Sequence, residues 1–206
     1  MIARAQLLGL GFGRGAIRHR TATGRLHVVH REVYAVGHRR LTVYGRWMAA
    51  VLACGPNAAL SHRSAAALWG LAQASGARVD VTTPRRSGSS RPGIRLHRVR
   101  KMHPHDLAAR DGIPVTSVAR TLLDLAEIVD RRGLERMLEE AERTRLLDLR
   151  AVEQACARGH GRRGLKPLVA HLRTLRPAPQ TRSELERRFL ALCRELALPP
   201  RTSTPS

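Results

Sequence analysis

Ala3-Arg4-Ala5-Gln6-Leu7-Leu8-Gly9-Leu10-Gly11-Phe12-Gly13-Arg14-Gly15-Ala16-Ile17-Arg18-His19-Arg20-Thr21-Ala22-Thr23-Gly24-Arg25-Leu26-His27-Val28-Val29-His30-Arg31-Glu32-Val33-Tyr34-Ala35-Val36-Gly37 decides how this chain reads. Ala3–Gly9 carries Leu7 and Leu8 and predicts a short helix. The glycines that follow, through Gly13, predict a turn, since they reach backbone angles other residues avoid. Arg14–Thr23 predicts a second helix, with Ile17 inward and Arg14, Arg18 and Thr21 together on another face. Gly24 stops it. Leu26–Val29 and Val33–Val36 are β-branched runs joined by His30-Arg31-Glu32, which predicts a hairpin. Helix, turn, basic helix and basic hairpin is the order of a winged helix-turn-helix. In such a unit the second helix enters the major groove and offers side chains to base edges. Arg14, Arg18, His19, Arg20 and Thr21 are expected there. Arg25, His27, His30 and Arg31 are expected beside phosphates, where they position without reading sequence. The same residues also read as a solvated basic helix and hairpin.

Further along, helices are expected over Leu41–Ala53, Ser61–Gly70 with Ser61 as its cap, Ser117–Ile128, Leu134–Thr144, Leu149–Arg158 capped by Asp148, and Arg163–Leu175. Arg78–Thr82, Ile94–Val99 and Ile113–Thr116 read as short strands. Arg176–Gln180 reads as a proline-containing linker, and a last helix begins at Thr181 or Ser183. The fold class expected is α+β and helix-rich. It comprises a winged helix-turn-helix over 1–37, a mixed helical and small-sheet domain over 38–175, and a tail over 176–206.

The chain has 206 residues and a formal net charge of +21, which favours a polyanionic partner. Nearly all of that charge is arginine, which a GC-rich coding sequence would also produce. Its distribution argues for more than codon bias. Residues 1–40 hold eight arginines against Glu32 alone, and 78–101 hold eight basic residues against Asp80 alone. Residues 120–155 instead hold seven arginines against nine acids. The three cysteines are far apart and form no C-x-x-C, which argues against a disulfide scaffold and for a reducing cytoplasm. No apolar run suits a membrane span, and Met1–Leu10 lacks the features of a secretory signal.

Several motifs carry less. Arg85, Arg86 and Arg91, within the polar stretch Pro84–Gly93, read either as a clamp on a nucleic-acid backbone or as a solvated hairpin tip. Gly159–Gly164 is glycine-rich but lacks the phosphate-loop lysine and reads as an interhelical turn. His103-Pro104-His105-Asp106 reads as a polar loop, without the third convergent ligand a metal site needs. Trp47 and Trp69 read as core. No cofactor, metal or catalytic residue is expected.

Ala5–Gly11, Arg14–Arg20, Thr23–His27 and Val28–Gly37 together resemble the N-terminal domain of AbiEi-type antitoxins of type IV toxin–antitoxin systems. The resemblance continues through Leu60–Leu71 and Gly112–Ala126. It implies a winged-helix repressor of its own promoter whose partner is a nucleotidyltransferase-like toxin. Relatives usually carry one more helix before the segment that begins at Ala3, so either the start lies upstream or the winged helix lacks its first helix. Thr181–Leu190 resembles the opening helix of a Vsr-like endonuclease of the PD-(D/E)XK type, which implies a metal-assisting role for Glu186. No Asp and Glu-x-Lys set follows it, so a truncated remnant is expected and not an enzyme. A nuclease-family protein lacking its catalytic half, and an antitoxin acting only by protein contact, are the alternatives.

Overall fold

The structure, a computed structural model, describes residues 1–74, 76–84, 91–159 and 161–175. Arg85, Arg86, the 176–180 linker and the segment from Thr181, with Glu186, lie outside the described residues.

Leu26–His30 (β2) and Val33–Val36 (β3) form the expected hairpin. Ile2–Ala3 (β1) adds a strand on the far side of β3, so the sheet runs β1-β3-β2 and is antiparallel throughout. Two helices, Arg4–Gly9 (α1) and Arg14–Ala22 (α2), lie between β1 and β2 in sequence. Leu7 of α1 and Ile17 of α2 bury against Leu26 and Tyr34, with Ile2 and Phe12 packed at the edge. Strand alternation sends Val33 and Ala35 to the opposite face, where both are buried. On the helical face Val28 and Val36 remain 59% exposed.

The helix Val43–Cys54 (α3) covers that opposite face. Thr42 caps it, its hydroxyl accepting from the Gly45 N–H at 3.1 Å. Its sequence is apolar nearly all round, the pattern of a helix with a neighbour on every side. Accordingly α3 touches all three strands of the first sheet and also three strands of a second.

The second sheet contains Ala59–Leu60 (β4), Val79–Thr83 (β5), Ile94–Arg98 (β6), Leu107–Arg110 (β7) and Ile113–Thr116 (β8), in the order β6-β5-β4-β8-β7. Leu60, Val81, Ile113 and Val115 share one core cluster with Trp47, Ala50 and Val51 of α3 and with Val33 of the first sheet. At alternate positions Thr82 and Thr116 are as fully buried, so both faces of this sheet are covered. β5 and β6 run parallel, from Val79↔Ile94 to Thr83↔Arg98. β5 and β6 are therefore not the two arms of a hairpin, as the reading of Pro84–Gly93 as a solvated hairpin tip required, because the strands of a hairpin run antiparallel.

Helices follow at His62–Trp69 (α4), Val118–Leu125 (α5), Arg131–Arg143 (α6), Leu149–Arg158 (α7) and Leu165–Leu175 (α8). Ser117, Asp130 and Asp148 cap α5, α6 and α7 through their side chains. Ser61 sits at the N-cap position of α4 but makes no capping bond; its hydroxyl meets the His62 ring Nδ1 at 3.0 Å instead. Residues Met1–Val169 form one compact unit. Among the described residues no helix is long and apolar enough to cross a membrane.

The turn between α7 and α8 packs without slack. A Cβ on Gly164 would lie 2.6 Å from the carbonyl carbon of Ala126 and 2.7 Å from the Glu127 nitrogen, both backbone atoms that cannot rotate away. Gly164→Ala is expected to lower stability by about 1–3 kcal/mol, the usual cost of overpacking. Urea denaturation would read it, and a neutral result would mean that the turn shifts freely.

Candidate nucleic-acid interface

Helical periodicity brings Arg14, Arg18 and Thr21 to one face of α2. They line a cleft of about 630 Å³ whose far wall is Val28 and Tyr34 of the hairpin and whose end is Arg4. No carboxylate is among the described residues that line the cleft. Arg4 Nη1 pairs with Glu32 Oε1 at 3.4 Å, and the Arg4 N–H donates to the Glu32 carbonyl at 2.8 Å, so the hairpin tip is tied to the start of α1. Glu32 itself takes a left-handed φ of 64°, as a tight two-residue connection requires.

The other expected readers are placed differently. The Arg20 guanidinium stacks on Phe12 at 4.6 Å and donates to the Ala16 carbonyl at 3.3 Å, away from the Arg14–Arg18 face. His19 is exposed on a third direction of α2. Thr21 donates its hydroxyl to the Ile17 carbonyl at 3.0 Å, which holds the side chain against its own helix. His27 pairs with Ala35 across the hairpin, and alternation turns it to the face opposite Val28. Arg25 and Arg31 are exposed, Arg31 at the hairpin tip. Arg91, distant in sequence, lies close enough to the hairpin for its charge to act on His30. Burial first, and Arg91 second, lower the pKa of His30. Arg4 was not singled out by sequence reasoning; nothing in its neighbours announces the contact with Glu32, 28 positions away.

A buried ionic network crosses the second half of the unit. Arg120 donates to Asp106 Oδ2 through Nη1 and to Asp124 Oδ1 through Nε, both at 2.8 Å. Asp106 also receives Arg158 at 2.9 Å, and Asp124 Oδ1 also receives Arg162 at 2.7 Å. Asp124 Oδ2 is buried without a hydrogen-bond partner. Burial pushes the Asp106 carboxyl up, but hydrogen bonds and charge from Arg158 and Arg120 outweigh it, and its pKa lies below the ordinary value. Close by, the buried His62 ring stacks on His97 at 3.6 Å, and His97 Nε2 meets Asp80 Oδ1 at 2.8 Å. Among the described residues no three His, Cys, Asp or Glu side chains converge as a metal site.

These features define an α+β protein whose first sheet carries a basic helix and hairpin and whose second sheet is buried among helices. Residues 57–158, from just before β4 to the end of α7, match the family model of the AbiEi antitoxin C-terminal domain. The match bears out the resemblance over that span; the first sheet, α1–α3 and the tail lie outside it. A search of curated protein sequences gave no match.

Proposed function

We propose that this protein acts in the cytoplasm as an antitoxin that binds double-stranded DNA at its own promoter and represses it, with a nucleotidyltransferase-like toxin as its counterpart. The family match over 57–158 supports the antitoxin half. One observation carries the DNA-binding half: Arg14 and Arg18 line a cleft between a helix and the hairpin that follows it, with no acid among its described lining residues. A helix so placed offers two guanidiniums to guanine edges while the hairpin lies along the backbone. Arg14 and Arg18 are the base readers in this reading, and Arg4, Arg25 and Arg31 hold phosphates. Arg20, committed to Phe12, supports the helix.

The test is binding of the purified chain to its own upstream DNA against scrambled DNA across a salt series. A preferred site that survives physiological salt is expected. Arg18→Ala should cost about 1–3 kcal/mol on the preferred site and little on scrambled DNA, whereas Arg31→Ala should weaken both alike. Equal and steeply salt-sensitive binding to every DNA would mean only that +21 charges meet phosphate. Repression would then be abandoned for an antitoxin that acts by protein contact.

A further inference from the structure

A second cationic cleft, of about 490 Å³, opens in the other half of the same unit. One wall is the end of β6 and the segment after it, with Arg98, Arg100, Lys101 and His103. The other is helical: Arg120 on α5, Arg158 at the end of α7, and Arg162 just beyond. Among the described residues that line it, Asp106 is the one carboxylate.

The two walls differ in how their charge is held. Asp106 and Asp124 fix Arg120; Asp106 fixes Arg158; Asp124 and Glu127 fix Arg162. Each guanidinium has five N–H donors in a rigid fork, and these contacts leave several of them unused. The acids therefore keep the guanidiniums ordered without consuming their capacity to donate. On the opposite wall Arg100 and Lys101 are exposed and have no ion-pair partner among the described residues. His103 Nδ1 accepts from the His105 N–H at 3.3 Å, which leaves the Nε2 edge of the ring to face a ligand. Pre-ordered forks facing uncompensated cations suit an anion with several charges and many acceptor oxygens. A single carboxylate would leave most of that charge unmet. The volume falls within the range of about 300–1,000 Å³ usual for small-molecule sites.

We propose that this cleft binds a small polyphosphate, either inorganic or the phosphate tail of a nucleotide. The site is separate from α2 and the hairpin, so it stands or falls independently of DNA binding.

Titration calorimetry on the full chain at physiological salt tests it, with inorganic tripolyphosphate, ATP and a short single-stranded oligonucleotide as probes and sulfate at matched ionic strength as control. Saturable binding of tripolyphosphate is expected. Similar affinity for ATP would assign the site to phosphates from either source, and tighter ATP binding would assign it to nucleotides. Arg100→Ala/Lys101→Ala should weaken binding about tenfold or more while leaving thermal stability and operator binding unchanged, since neither side chain holds the fold. Arg100→Lys should retain most of the affinity. Absence of saturable binding up to about 1 mM, displacement by sulfate, or an unaffected double variant would overturn the proposal. So would affinity that appears only with the oligonucleotide, which would make the cleft part of a nucleic-acid surface.

Discussion

Arg120→Leu is expected to lower the unfolding free energy by about 3–5 kcal/mol, the range for breaking one side of a buried ion pair. Arg120 and its two carboxylate partners are each at most 8% exposed at the side chain, so water cannot replace the lost guanidinium. Asp124 is the more exposed to this loss in energetic terms, because its Oδ2 already lacks a partner and its Oδ1 would retain only Arg162. Among the described residues Asp106 would keep only Arg158. Denaturant unfolding of the single variant and of Arg120→Leu/Asp106→Asn/Asp124→Asn separates the two contributions. The triple variant should recover part of the loss, because it removes the charges that Arg120 no longer balances. Arg131→Ala, which breaks the exposed pair with Glu135, should leave the curve unmoved. A loss below about 1 kcal/mol for Arg120→Leu would mean that the network behaves like such a surface pair.

Acid is expected to weaken the fold well above the range where carboxylates titrate. Burial, reinforced by His97 and Arg162 and opposed by Asp124 and Asp80, lowers the pKa of His62 from 6.5 to about 4. The unfolded chain thus takes up a proton at this position between pH 6.5 and 4 that the folded chain refuses. Stability is fully present above pH 6.5, falls as pH drops through that window, and stops falling from this cause below about 4. The total is about 3–4 kcal/mol, from about 1.4 kcal/mol per pKa unit. Asp106, whose pKa is depressed, adds its own loss only at lower pH, as the carboxylate range is crossed. His62→Asn removes the titrating ring yet suits the left-handed φ of 49° at this position, since asparagine tolerates that region. Its stability should vary less between pH 7 and 4.5 than that of the parent chain. Identical pH slopes for the two would assign the acid sensitivity elsewhere.

The elements legible in the sequence were those with repeated local signals. Ile17 opposite Arg14, Arg18 and Thr21 fixed both the existence of α2 and the face it presents, because a helix is written in every third or fourth residue. Asp148 marked the start of α7 in the same local way. β1 and β4 have two residues each, too few for any period, and exist because a longer neighbour pairs with them. The parallel pairing of β5 with β6 was also hidden, since their apolar runs look the same in either direction. Arg120 and Asp124 stand four apart and could have been paired on paper. Asp106 and Arg158 are 52 positions apart; α7 packs on α5, and the α5 cap Ser117 donates its N–H to the Asp106 carbonyl, which brings the two side chains together. Ser61 misled for a related reason: a buried histidine beside it competes for the hydroxyl a cap would use.

The way α3 is buried has a practical corollary for anyone who would re-engineer this chain. Its flanks are shared, with Trp47, Ala50 and Val51 in the same cluster as Val33 on one side and Val81 and Val115 on the other. The first sheet and its two helices cannot be transplanted as residues 1–37, because the graft would carry an uncovered apolar sheet and leave a matching wound behind. The smallest portable cassette extends through Cys54, and its far surface must be redesigned as polar before it can stand in water.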